Sequence, residues 1–311
     1  MSFLELSIVV PVYNGSEQIE SIAEEIVFCL SEKKLSFEII FIDDGSTDES
    51  WKKIIALKGK YKTIHGISLN RNYGQHKASL CGLMHSSGKY VVTMDDDSEH
   101  NPEYIADMLQ QLKYSNSDVI YGIPKNKKRS LIKSLLVFIY KKVSRVENSD
   151  AGNGSSFRIL SSSLVEKLKQ HTTHLFFLDE ILLWYTNKIE TFPVDFRKSK
   201  KNRSSYNYRS LFSLSKNVFM ISTTMPLQLV KFLGISMSSL SFLYGLYHLF
   251  HKIFLKTEKG YTSLIISILF STGLLLLCIG VIGEYLSNLL IMQNNKPAYS
   301  VRAKTFSENE S

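Results

Sequence analysis

The feature that most constrains this chain is a repeated change of period along its first part. Short continuous apolar runs alternate with stretches whose apolar residues recur at helical spacing. Ser7–Val12, Phe37–Ile42, His65–Leu69, Lys89–Met94 and Asp118–Tyr121 are predicted strands. Between them, Ser16–Leu30, Asp48–Leu57, Gly74–Ser86 and Asn101–Leu112 are predicted helices, the first with Ile19, Ile22, Ala23, Ile26 and Val27 on one face. Strands that are apolar throughout are covered on both faces, so the pattern implies an α/β domain with a mostly parallel sheet. Ligands of such sheets bind beyond the carboxyl ends of the strands. The acidic clusters Asp43-Asp44 and Asp95-Asp96-Asp97 fall there.

Composition excludes several classes. With 44% hydrophobic and 21% charged residues among 311, the chain is not disordered. Its formal charge of +8 does not indicate nucleic acid, because the basic residues crowd at Lys125–Arg129 and Arg197–Arg209 and not on a base-reading helix. Cys29, Cys81 and Cys278 have neither disulfide-framework nor zinc spacing, which suits a reducing cytoplasm. His76, His85 and His174 show no ligand spacing and read as structural. No signal peptide is expected, since a strand begins within a few residues of Met1.

From Met225 onward the chain is largely apolar. Leu227–Phe250 and Ser263–Leu286 each have about the twenty residues that span a bilayer, and Glu284 is their only acid. They are predicted to form a transmembrane hairpin, the alternative being two buried helices. The expected organisation is a catalytic domain over 1–200, a basic amphipathic connector over 201–225, the hairpin over 226–290 and a tail over 291–311. The basic flank predicts a multi-pass protein of the inner (plasma) membrane, in contact with the lipid bilayer, with catalytic domain and tail cytoplasmic. Glu284 within an apolar span suggests a protein partner, such as a homo-oligomer, or an interfacial position.

The chemistry centres on Thr93-Met94-Asp95-Asp96-Asp97. Two carboxylates one residue apart on an extended chain point the same way, and can hold a hard divalent cation together with a diphosphate. The alternative is a solvated acidic turn. At the end of the second strand, Asp43-Asp44-Gly45-Ser46 can accept from a base N–H or ribose hydroxyls, and it can also serve as a capped turn. Lys125–Lys133 is a candidate grip for an acceptor phosphate or a solvated loop. Asp179 and Glu180 are candidate contacts to donor or acceptor, or simply the start of a helix over Asp179–Asn187.

Val9-Val10-Pro11-Val12-Tyr13-Asn14, Ile42-Asp43-Asp44-Gly45-Ser46-Thr47-Asp48, Asn70-Arg71-Asn72-Tyr73-Gly74-Gln75 and Met94-Asp95-Asp96-Asp97 together resemble the family 2 inverting glycosyltransferases. Asp95–Glu103, Ser155-Ser156-Phe157-Arg158, Arg203-Ser204-Ser205-Tyr206 and Gly280-Val281-Ile282-Gly283-Glu284-Tyr285 are similar to elements of its polyprenyl-phosphate branch, which acts on dolichyl or undecaprenyl phosphate. The resemblance implies a GT-A-like fold, a nucleotide-sugar donor (UDP-, GDP- or dTDP-linked), a polyprenyl phosphate acceptor and Mg²⁺ or Mn²⁺. It assigns catalysis to Asp95, Asp97, Arg158, Asp179 and Glu180, and metal binding to Asp95, Asp97 and Glu99. The donor is expected at Pro11, Tyr13, Asn14, Asp43, Asp44, Gln75, Lys77, Asp96 and Arg203, and the acceptor phosphate at Lys125, Arg129 and Ser205. Ser98, Glu99, His100 and Asn202 depart from the branch's usual residues. Neither Trp51 nor Trp184 follows an arginine, unlike the Q-x-x-R-W element of processive polysaccharide synthases. The remaining rivals are transfer to another acceptor, a polysaccharide or lipid, and an inactive membrane scaffold.

Overall fold

In the computed structural model, residues 4–125, 155–170, 178–197, 261–293 and 297–306 are described, with scattered helical positions between 230 and 250. The order is β1 (Leu6–Val12), α1 (Ile19–Glu32), β2 (Phe37–Asp43), α2 (Ser50–Lys60), β3 (Ile64–Leu69), α3 (Gln75–Met84), β4 (Tyr90–Thr93), α4 (Tyr104–Tyr114) and β5 (Val119–Pro124). There follow β6 (Arg158–Leu160), α5 (Ser162–Lys169), α6 (Leu178–Tyr185), β7 (Ile189–Val194), α7 (Tyr261–Gln293) and β8 (Val301–Lys304). The strands form one sheet in the order β7-β5-β6-β4-β1-β2-β3-β8.

β1 and β2 are buried at every position because they lie at the centre, parallel to each other, and are covered on both faces. Alternate residues face opposite layers. Ile8, Val10, Ile39 and Phe41 pack with α1, α2 and α4 through Ile22, Ile26, Ile54 and Met108. Val9, Ile40 and Ile42 pack on the other side with α3, α5 and α6 through Ala78, Leu164 and Leu182. The β1–β4 and β2–β3 pairs are parallel, whereas β6 and β8 run antiparallel to their neighbours. From β1 the chain winds outward through β2 and β3, then returns to β1's other side at β4. The crevice above β1 and β4 is therefore the topological switch point, where open α/β sheets place ligands.

The chain divides into two compact units, residues 1–205 with 297–311, and residues 206–296. Sequence patterning placed residues 291–311 in a tail, yet Val301–Lys304 form an edge strand on β3. This strand is four residues long and not continuously apolar, so periodicity gave no sign of it.

In the second unit, α7 exposes Leu264, Ile268, Leu275, Leu276, Ile279 and Leu286. The expected multi-pass membrane localisation is corrected here, and the membrane-spanning character of the expected hairpin is not shown. Among the described residues, no helix is long and apolar enough to cross a membrane. The basic amphipathic connector expected over 201–225 lies outside the described residues, as does His174.

Candidate active site

Three strand ends build the site. After β1 the chain turns through Tyr13, which is exposed, and Asn14, which takes a positive φ of 50°. Asn14 Oδ1 accepts from the Thr47 N–H at 2.9 Å, and its own N–H donates to Ser46 Oγ at 3.0 Å, so the loops after β1 and β2 are tied together. Pro11 is buried within β1, paired in register with Ile42.

At the end of β2, Asp43 and Asp44 play separate parts. Asp44 accepts the N–H groups of Tyr73 at 2.7 Å and Gly74 at 2.8 Å, holding the loop that opens α3. Burial pushes its carboxyl up, against these hydrogen bonds and nearby Lys77. Asp43 is fully buried. Its carboxylate accepts the Ser46 N–H at 2.9 Å and the Ser68 hydroxyl at 2.8 Å, and lies 3.7 Å from Arg302 of β8. Gly45 between these loops has φ +68°, and a Cβ there would stand 2.4 Å from the Arg71 carbonyl carbon. Only glycine fits that approach.

Beyond β4 the three aspartates diverge. Asp95 accepts from Gln75 Nε2 of α3 and from Ser156 Oγ before β6. Asp96 faces the β1 loop, where a Cβ on Gly15 would meet Asp96 Oδ2 at 2.3 Å. Asp97 Oδ1 accepts the Glu99 N–H at 3.0 Å, closing a tight turn whose Ser98 has φ +62°. Burial pushes the Glu99 carboxyl up, and the charges of Asp97 and then Asp95 add to the rise. This mutual repulsion, among oxygen ligands only, suits a hard divalent cation. Among the described residues, no group of three or more His, Cys, Asp or Glu is arranged to hold a metal. Mg²⁺ commonly takes only one or two carboxylates and completes its shell with substrate phosphates and water, so a three-carboxylate cluster is not required for such an ion.

His100, a departure from the branch's pattern, proves to be the support of this turn. Its Nδ1 accepts the Asp95 N–H at 3.0 Å, while its ring stacks on Phe157 at 5.1 Å and meets Phe196 edge-on at 5.0 Å. Burial lowers its pKa to about 4, against the pull of Asp97, so the ring is neutral and accepts through Nδ1.

Beside Asp95 lies a buried polar cluster. Arg158 donates from Nε to Thr93 Oγ1 at 3.0 Å and from Nη1 to Asp179 Oδ1, which also accepts from the Tyr121 hydroxyl at 2.8 Å. Arg158, expected to be catalytic, is 2% exposed and engages Thr93 and Asp179, so in this structure it positions Asp179. Burial lowers the His76 pKa, with Asp179 opposing and Arg158 reinforcing the shift. Lys125, expected at the acceptor phosphate, instead donates to Asp195 at 2.7 Å on the surface. Arg129, Arg203, Ser205 and the side chain of Glu180 lie outside the described residues.

Sequence reasoning thus named Asp43, Gln75, Asp95, Asp96, Asp97, Arg158 and Asp179, which the fold brings to one end of the sheet. It passed over Ser68, Ser156, Tyr121 and Arg302. Ser156 lay within a recognised element, but the others sit mid-strand or beyond the second unit, where spacing carries no signal.

Residues 7–168 match the family described as glycosyl transferase family 2, and residues 225–289 match the GtrB C-terminal hairpin. The SfII prophage-derived bactoprenol glucosyl transferase of Shigella flexneri is 29% identical over 96% of this chain and 98% of that protein. An uncharacterized glycosyltransferase of Synechocystis sp. is 28% identical over 96% and 95%. Glucosyl-3-phosphoglycerate synthase of Mycobacterium tuberculosis, solved with Mn²⁺, UDP and phosphoglyceric acid, superposes with a TM-score of 0.53 at 20% identity, over 70% of this chain and 76% of that one. Switch-point carboxylates, sheet order and a match across half of the chain agree: the protein belongs to glycosyl transferase family 2.

Proposed function

We propose that the protein transfers a glycosyl group, with inversion, from a nucleoside-diphosphate sugar to a polyprenyl phosphate. The observation that carries the donor side is the carboxylate pair Asp95 and Asp97 at the switch point, with Asp95 oriented by Gln75 and Ser156. The acceptor side is supported by the bactoprenol glucosyl transferases, which align along nearly their whole length.

The acceptor phosphate oxygen attacks the anomeric carbon as the bond from that carbon to the diphosphate oxygen breaks. The bonding pair leaves with the nucleoside diphosphate. A phosphate monoester is already anionic at neutral pH, so the site needs no strong base. Positioning and neutralisation of charge supply most of the rate. Asp179 is held by Arg158 and Tyr121 through Oδ1, which orients the carboxylate beside Asp95 for a sugar hydroxyl. Asp43 anchors Ser46 and Ser68 at the nucleoside end. A divalent cation on Asp95 and Asp97, with Glu99 alongside, would neutralise the departing diphosphate.

The test is transfer of label from a panel of nucleotide sugars to undecaprenyl phosphate, with Mn²⁺, Mg²⁺ or EDTA. Metal-dependent formation of a lipid-phosphate sugar, lost in Asp97→Asn, is the expected result. Metal-dependent nucleotide binding without any lipid product would reject the acceptor.

A further inference from the structure

Asp43 is the carboxylate that strand-end logic places at the nucleoside, yet it has no exposed surface. Ser46 and Ser68 already donate to its two oxygens. What faces solvent beside it is the guanidinium of Arg302, a residue from the far end of the chain. β8 pairs with β3 so that Ala303 lies opposite Ser68, and Arg302 Nη2 donates to Ser68 Oγ at 2.8 Å while lying 3.7 Å from Asp43 Oδ2. The Arg302 side chain is 49% exposed. Ser300 braces the strand, its carbonyl and hydroxyl accepting from Asn70 at 2.9 and 2.6 Å.

We propose that Arg302 is a specificity residue of the donor site, contacting the base or ribose of the nucleoside while Asp43 and Ser68 hold its guanidinium. This deepens the donor reading above and rests on it. A guanidinium only donates, and it stacks on planar rings. It therefore favours a base that offers carbonyl acceptors at its edge, such as a uracil or guanine, over one whose facing edge carries an amino group. Asp43 then serves as the buried counter-charge that sets the angle of the fork. β8 thereby becomes part of the nucleotide pocket.

The experiment is isothermal titration of the full-length protein with UDP, GDP, dTDP, CDP and ADP in Mn²⁺, for wild type, Arg302→Ala, Arg302→Lys and Asp43→Asn. Arg302→Ala is expected to weaken the preferred nucleoside diphosphate about tenfold and the others less, flattening the preference, as expected for loss of a charged hydrogen bond. Arg302→Lys keeps the charge but not the planar fork, so it recovers part of the affinity and little of the discrimination. Unchanged affinities in Arg302→Ala, with binding lost in Asp43→Asn, would overturn the role of Arg302 and leave the donor reading standing. Equal weakening for every nucleotide, together with a lower melting temperature, would show that Arg302 only braces β8, and would also overturn the proposal. Wild-type protein that binds none of the five would remove the donor reading itself.

Discussion

His100 offers the sharpest test of how this site is supported. Its ring is 3% exposed and neutral, and Nδ1 receives the Asp95 N–H at 3.0 Å. In His100→Phe the stacking surface on Phe157 persists but the Nδ1 acceptor of the Asp95 N–H is lost. That costs about 1–3 kcal/mol. In His100→Asn the amide oxygen can replace Nδ1, while the ring contacts are lost. The pH dependence separates this account from a generic packing defect. The folded-state pKa of about 4 lies below the ordinary value of 6.5, so the unfolded chain binds the extra proton between them. The stabilising effect is complete above pH 6.5 and is lost as pH falls toward 4, amounting to about 3 kcal/mol. Urea titrations followed by fluorescence of Trp51, packed against the core, measure this at several pH values. The stability advantage of wild type over His100→Phe should be largest near pH 7 and should fall by that amount on approaching pH 4, closing or changing sign. Taking the difference cancels the carboxylates common to both proteins. A constant gap, or a His100→Phe protein as stable as wild type at pH 7, would refute the assignment of His100 as a neutral acceptor.

Asp97→Asn retains an oxygen for the Glu99 N–H, so it should melt like the wild type while metal-dependent nucleotide binding is lost and kcat/KM falls roughly a hundredfold or more. Arg158→Met removes the charged partner of Asp179, leaving Tyr121, and two donors from the buried cluster; with Asp179 partly exposed, the expected loss is about 2–3 kcal/mol by chemical denaturation, and Arg158→Lys should recover only part of it. Gly45→Ala forces a side chain into a positive φ and against the Arg71 backbone, and should cost roughly 2 kcal/mol or more, read as a fall in melting temperature.

The sheet, its covering helices and the acidic strand ends were legible in the sequence because each depends on local period. A strand buried on both faces must be apolar throughout, and β1 and β2 are. The carboxylates of Asp43 and Asp95 follow such strands directly, so their place at one end of the sheet came with the period. Their partners did not. Ser156 and Arg158 reach the end of β4 because β6 is inserted between β4 and β5 and runs antiparallel to both, a choice of topology that no single strand records. His100 looked like a departure from a motif, and its role emerged once Phe157 and Phe196 were packed around it. Asp43, expected at the donor, is itself buried among its neighbours. Arg302 stands more than two hundred residues from Ser68, with which it pairs. Sequence determined the elements and the chemical groups, because burial period and residue type are local. Tertiary structure alone decided which groups face one another, because contacts between distant segments are set by strand order and register.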